Sequence, residues 1–154
     1  MDTLKEIIKD YLKEAKLMQV ATARKNKPWV ATVWYVHDED MNLYFISRRK
    51  RRHSLEIKAN PNVAGAIVKP HYKGSGEKVI GLQFEGFAKE ATGEQLETAR
   101  KLYMEKYENA ENIPIEKLKD PKFMVTFYVL KPKIIALFDE INFPKDPRQE
   151  LRIG

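Results

Sequence analysis

Cysteine is absent from this chain of 154 residues. Its absence excludes disulfides, iron–sulfur clusters, thiolate zinc sites and cysteine nucleophiles. Histidine is scarce, because His37, His53 and His71 are the only three and lie far apart without an H-E-x-x-H or comparable spacing. The sequence therefore predicts no dedicated metal site.

Long apolar runs are also missing. Residues 1–16 are amphipathic and charged, without the apolar centre of a signal peptide. No window approaches the run of about 18 apolar residues that spans a bilayer. We therefore expect a cytoplasmic protein with no membrane partner. The motifs G-x-G-x-x-G, G-x-x-x-x-G-K-[ST] and G-x-S-x-G are absent as well, which removes the usual dinucleotide, nucleoside triphosphate and hydrolase signatures.

The composition is that of a globular protein, with 43% hydrophobic and 32% charged residues. The length suits one domain, which we predict over residues 1–140, followed by a C-terminal tail over residues 141–154. The formal net charge of +6 would attract nucleic acid, membrane surfaces or phosphorylated ligands. Charge alone does not choose among these partners.

The hydrophobic pattern predicts several strands with a few helices placed among them. Helices are predicted at residues 2–15, 53–59 and 92–107, with a helical turn near residues 115–118. Strands are predicted at residues 17–24, 28–37, 43–47, 62–69, 78–90 and 123–137, the last broken at Pro132. Because strands do not alternate with helices, we predict a mainly β fold, a six-stranded antiparallel barrel with flanking helices.

Two glycines interrupt the strand predicted at residues 78–90. Gly81 and Gly86 each lie among residues that otherwise favour an extended chain. Glycine inside a strand indicates a bulge, a barrel corner or a close backbone approach to a ligand. The sequence leaves these three interpretations open.

A basic run from Arg48 to His53 is the sharpest local feature. It contains six residues without an acidic group, directly after a strand and at the start of a short helix. Helix N-termini and guanidinium groups both bind phosphate. A solvated basic turn is the plainer interpretation. A nucleic-acid surface that includes Trp34, Tyr44 and Phe45 is the third, and it ranks below phosphate binding because the other basic residues are scattered among 22 acidic ones.

The order of elements resembles that of the pyridoxamine 5'-phosphate oxidase-like superfamily of FMN-binding split barrels, over most of residues 2–139. The segments that carry the resemblance are QVATARKNKPWVATVWYVHDEDMNLYFIS, RRKRRH, ANPNVAGAIV and GLQFEGFAKEAT, in the family's order. Within the superfamily the pattern is closest to small uncharacterised bacterial proteins. The resemblance implies a six-stranded split barrel that forms a homodimer, with FMN at the subunit interface and flavin-dependent oxidoreductase activity on an unknown substrate.

The resemblance also assigns the residues that would hold FMN. The phosphate-binding pair matches Arg52 and His53, whereas the commoner family pair is Arg-Lys. Histidine is charged only below a pKa near 6.5 unless the phosphate raises it, so either phosphate affinity depends on pH or Arg51 or Lys50 substitutes. The remaining flavin contacts lie on three strands, the first through its backbone: Thr32, Val33, Trp34 and Tyr35; Phe45, Ile46 and Ser47; Gly81 and Gln83.

Two other functions stay open. One is a noncatalytic stress protein that binds flavin, heme or deazaflavin F420 without turnover. The other is a basic nucleic-acid-binding barrel, for which affinity would fall steeply with salt. Pyridoxine phosphate oxidation itself is not implied, because the tail has no Trp and its Arg148 and Arg152 match no motif of the true oxidase.

Overall fold

The computed structural model describes residues 2–153, so the first residue of the predicted domain and the last residue of the predicted tail lie outside it. Every predicted helix and strand is confirmed, with its ends within two residues of those expected. The elements are α1 (Leu4–Glu14), β1 (Leu17–Arg24), β2 (Lys27–His37), β3 (Leu43–Arg48), α2 (Arg52–Ala59), β4 (Asn62–Ile67), β5 (Ile80–Glu90), α3 (Glu94–Lys106), α4 (Ile115–Lys119), β6 (Val125–Asp139) and β7 (Arg148–Arg152).

The strands form one antiparallel sheet in the order β3-β2-β1-β4-β5-β6-β7. An additional pairing between β3 and β6 closes strands β1 to β6 into a barrel. Closure removes the free edges that an open sheet would expose along these strands. The prediction of a mainly β protein built on a six-stranded antiparallel barrel is therefore confirmed.

Strand β6 has different partners along its two halves. Its first half, from Val125 to Leu130, pairs with β3, whereas the second half, from Ile134 to Phe138, pairs with β7 on the same edge. Strand β5 runs along the opposite edge of β6. Between the halves the register shifts, because Glu85 faces Ile134 while Gly86 faces Pro132. The predicted break at Pro132 is thus a bulge within a continuous strand, where a missing N–H is tolerated.

The seventh strand was not predicted. Sequence analysis assigned residues 141–154 to a tail, but β7 within this segment joins the sheet. Buried Asp139 reverses the chain ahead of it, since its carboxylate accepts hydrogen bonds from the backbone N–H groups of Ile141 and Asn142, both at 2.9 Å. The sequence of β7, RQELR, lacks the apolar alternation that identifies a strand, so pairing with β6 decides its conformation.

The barrel interior holds one large apolar cluster, and helix α1 covers part of it with Ile8, Tyr11 and Leu12. Thr3 caps α1, because its hydroxyl accepts the Glu6 N–H while the Glu6 carboxylate accepts the Thr3 N–H. A second cluster lies outside the barrel, where α3 packs against β2, β3 and β6. Within residues 2–153, every helix falls short of the length and apolar character that a bilayer crossing requires.

Candidate functional site

The end of β3 and the start of α2 bring polar groups together. Arg51 is the N-cap residue of α2, and its side chain makes no capping hydrogen bond. Among residues 2–153, no side chain accepts a hydrogen bond from the N–H groups at the start of this helix. Ser47, on β3, contacts His53 in this turn, with 2.6 Å between the Ser47 Oγ and the His53 Nε2. This arrangement suits an oxyanion, because a helix N-terminus presents N–H donors and the positive end of its dipole.

Arg52 is held at the edge of this turn by two contacts. Its Nε donates a hydrogen bond to the Glu56 carboxylate at 2.8 Å, and its guanidinium carbon lies 4.2 Å from the centroid of the Trp29 ring. Within residues 2–153 its two terminal nitrogens make no hydrogen bond, and the side chain is 45% exposed. Arg52 therefore keeps donors for a ligand while its orientation is fixed.

Glu56 anchors Arg52 from a buried position. Its carboxylate also accepts a hydrogen bond from the Thr22 hydroxyl at 2.7 Å. The hydrogen bonds from Arg52 and Thr22 hold the pKa of Glu56 below its usual value, so the carboxylate is ionised at neutral pH. Sequence analysis missed Glu56, Thr22 and Trp29. The (i, i+4) spacing of Arg52 and Glu56 was the one available signal.

His53 lies in the first turn of α2 and is buried. Burial, and to a lesser degree the Arg51 cation, lowers its pKa below 6.5, while Glu56 opposes the shift. The imidazole is therefore neutral at pH 7 in the ligand-free protein. A positive charge at this position would need either a bound anion or a neighbouring basic side chain.

The basic run does not act as one surface. Arg49 turns away from the helix N-terminus and ties the loop before β6 to the barrel. Its Nε donates to the Phe123 carbonyl oxygen at 2.8 Å, and its terminal nitrogens donate to the Glu90 carboxylate at 2.6 Å and to the Asp120 carbonyl oxygen at 3.2 Å. Arg49 is thus a structural residue, while Arg48, Lys50 and Arg51 are exposed.

Three of the expected flavin contacts point their side chains into the barrel. Tyr35 and Phe45 are fully buried, and Val33 is nearly so. The Tyr35 hydroxyl donates a hydrogen bond to the Leu12 carbonyl oxygen at 2.7 Å, and the Phe45 ring stacks on Tyr128 with centroids 5.3 Å apart. These residues can contact a ligand through their backbone alone. Ile46, beside Ser47 on β3, is partly buried against the outer cluster.

Thr32, Trp34 and Gln83 lie instead on the outer face of the sheet, where each is exposed. The register places Thr32 opposite Gln19, Gln19 opposite Ala66, and Ala66 opposite Gln83. Three strand spacings, roughly 14 Å, therefore separate Thr32 from Gln83. Gly81 lies on the same strand as Gln83 and is buried. The structure thus brings together Ser47, Arg52 and His53, and leaves Gly81 and Gln83 apart from Thr32 within one chain.

The outer face around this row carries several exposed large apolar side chains. Polar Gln19, Gln83 and Glu85 alternate there with small residues, and large apolar residues that are 40–56% exposed lie in the flanking rows. Several large apolar side chains exposed on one sheet face indicate an interaction site. The small residues are Ala21, Ala64, Ala66 and Ala136, and the large ones are Leu17, Val30, Trp34, Val68 and Phe138. We call this surface the outer apolar face.

Comparisons with known proteins agree with this fold. A model of the pyridoxamine 5'-phosphate oxidase family matches residues 4–137. A UPF0306 protein of Photorhabdus laumondii is 29% identical over 105 residues, covering 66% of this chain and 71% of the relative. The heme binding protein from Mycobacterium smegmatis superposes with a TM-score of 0.78 at 15% identity, over 99% of this chain and 59% of that chain. An F420 reductase superposes with a TM-score of 0.59 at 22% identity, over 82% of this chain and 94% of that chain.

These similarities differ in what they show. At these identities the two solved structures establish a shared fold and nothing about ligands. The family model spans the molecule from α1 to the second half of β6, including the turn between β3 and α2. The chain belongs to the pyridoxamine 5'-phosphate oxidase family.

Proposed function

We propose that this protein binds FMN as a homodimer and acts as a flavin-dependent oxidoreductase. The observation that carries the proposal is the uncapped N-terminus of α2, beside which Glu56 and Trp29 hold Arg52 with free donors. When bound, FMN supplies the electron-transfer chemistry, which explains why the sequence contains no catalytic motif.

The residues of the turn fit a phosphate monoester. The first N–H groups of α2 and the Ser47 hydroxyl supply neutral donors, and Arg52 supplies the positive charge. The Trp29 ring and the Glu56 carboxylate reduce the conformational freedom that Arg52 would lose on binding. The work of this chain is therefore to bind and orient the cofactor.

The homodimer is supported by the outer apolar face. A second copy of the chain would remove Trp34, Val30 and Leu17 from water, which favours association. Thr32 and Gln83 lie three strand spacings apart, roughly 14 Å, on this same face of the sheet. If FMN binds between two copies, the β2 backbone of one copy and β5 of the other can both contact it.

Replacing Arg52 with alanine is expected to weaken FMN binding by about 1.5–3 kcal/mol, the range for a hydrogen bond to a charged group. Flavin fluorescence titration would measure the affinity. Arg152 is the matched control, because it is an exposed arginine on β7, and R152A should bind FMN as the wild type does. Equal affinity of R52A and the wild type would remove Arg52 from the phosphate site.

The pH dependence of FMN affinity tests the role of His53. A bound phosphate stabilises the imidazolium, so binding takes up a proton and affinity should rise as the pH falls from 8 through the lowered pKa of His53. In H53Q the part of this rise in affinity that comes from His53 should be lost. The part that comes from titration of the FMN phosphate itself remains in both proteins. Parallel affinity profiles would instead favour Arg51 or Lys50 as the second cationic group.

A noncatalytic protein that binds flavin, heme or F420 is the alternative, and its support is fold similarity alone. Absorbance spectra of the purified protein before and after addition of FMN distinguish the cofactors. Size-exclusion chromatography of the same samples gives the oligomeric state. Oxidation of NAD(P)H by the flavin-loaded protein would establish turnover, whereas a flavin spectrum without turnover with any electron donor would favour the alternative.

A further inference from the structure

A cavity lies beside α2, away from Arg52 and Glu56. Its volume is about 600 Å³, and α2, the end of β5 and the loop before β6 surround it. Ser54 and Lys58 line it, whereas Arg52 and Glu56 lie on the opposite face of the helix because α2 turns once in 3.6 residues. Of the residues considered for flavin, Lys50 alone lines this cavity, and it is only an alternative to His53 at the phosphate. Its volume lies within the range of about 300–1,000 Å³ for small-molecule sites.

The walls of this cavity are largely apolar. Leu55 lines it from α2 and is 46% exposed, although its neighbours Ser54 and Glu56 are buried. Pro61, Ala88 and Pro121 complete the apolar wall from three different segments. A leucine that remains open to water inside a concave apolar surface is available to contact a ligand.

Positively charged side chains outnumber negatively charged ones around the cavity. Lys50, Lys58 and Lys89 line it, and within residues 2–153 none of them forms an ion pair. Glu90 is the one acidic residue among the lining residues, and Arg49 neutralises it at 2.6 Å. The pair also fixes the wall, because Arg49 holds the loop that contains Pro121. The cavity therefore combines an apolar wall with three uncompensated positive charges.

We propose that this cavity binds an amphipathic organic anion, whose apolar body contacts Leu55, Pro61 and Pro121 and whose carboxylate, sulfonate or phosphate contacts the lysines. Burial of the apolar body supplies the favourable transfer from water. The three ammonium groups select an anion over a neutral molecule of the same shape. The site is separate from the flavin site and can be occupied at the same time.

The test is a fluorescence titration with 8-anilinonaphthalene-1-sulfonate, an aromatic sulfonate whose emission rises in apolar surroundings. We expect K58E/K89E to bind it about tenfold more weakly than the wild type or worse, because two attractive charges become repulsive. The matched control is K5E/K101E, which makes the same charge change at exposed positions on α1 and α3 outside the cavity. The control should bind within about twofold of the wild type.

Further measurements test the apolar wall, the need for an anionic group and the location of the site. L55S should also weaken binding, and because Leu55 is an exposed helix position the fold should survive, as circular dichroism would show. Laurate should displace the probe and dodecanol should not, since the two differ in the anionic group. Saturating FMN and R52A should leave the affinity for the probe unchanged. Equal affinities of K58E/K89E and K5E/K101E, or displacement of the probe by FMN, would overturn the proposal.

Discussion

Replacing Phe45 with alanine is expected to lower the free energy of unfolding by about 3–5 kcal/mol, the range for removing a large aromatic side chain from a core. Phe45 is fully buried on β3, and its ring stacks on Tyr128 with an interplanar angle of 13°. The neighbouring strands β2 and β6 hold the site on both sides, so it cannot collapse around the cavity that the substitution creates. Urea denaturation at one fixed protein concentration would measure the loss, because the proposed association would make stability depend on concentration.

Trp34 is the matched control for Phe45. It is also an aromatic strand residue among the expected flavin contacts, but it is 48% exposed on the outer face. W34A should therefore lower the free energy of unfolding of the monomer far less, by roughly 1 kcal/mol or below. If F45A were as mild as W34A, the Phe45 side chain would not belong to the core. It would then be free to contact the flavin directly.

Replacing Gly86 with alanine is expected to lower the free energy of unfolding by about 3 kcal/mol, the upper end of the range for overpacking. A Cβ at this position would lie 2.1 Å from the Lys131 carbonyl oxygen and 2.8 Å from the Pro132 Cα. Both are backbone atoms of β6 at the bulge, so no side-chain rotation relieves the contact. The strands β5 and β6 would have to separate where the partner of β6 changes from β3 to β7. Thermal and urea unfolding would measure the loss.

Gly81→Ala is the control on the same strand. A Cβ there meets the Val68 Cγ2 at 3.3 Å, the end of an exposed side chain that can move by a few tenths of an ångström. The loss in free energy of unfolding for Gly81→Ala should stay below about 1 kcal/mol. A G86A protein as stable as G81A would mean that the two strands are not in such close contact at the bulge.

The order and type of the elements could be predicted because each is encoded locally. Period-2 and period-3.6 patterns, and the Asn60-Pro61 step that ends α2, required no knowledge of the tertiary structure. The orientation of β2 could not be predicted in the same way. Its sequence KPWVATVWYVH consists almost entirely of strand-forming residues, without the polar alternation that would separate Thr32 and Trp34 from Val33 and Tyr35.

The candidate site was predictable only in outline. The basic run indicated a phosphate site, but the division between the structural Arg49 and the available Arg52 depends on Glu90, Glu56 and Thr22. Glu90 and Thr22 lie far from the run in sequence and carry no motif. A single sequence shows which residues could bind an anion, whereas the fold determines which of them are already occupied.

Closure of the barrel has a consequence for how fast the chain can fold. The pairing of Leu43 with Leu130 joins segments that lie far apart in the sequence, and the chain between them contains α2, β4, β5, α3 and α4. The loop entropy of this contact must be lost before its hydrogen bonds and side-chain packing are gained. Hairpins such as β1–β2 can form early, but the barrel is complete only when β3 and β6 meet. Topologies dominated by such distant pairings fold in milliseconds to seconds rather than microseconds, so the rate-limiting step is expected to be the meeting of these two strands.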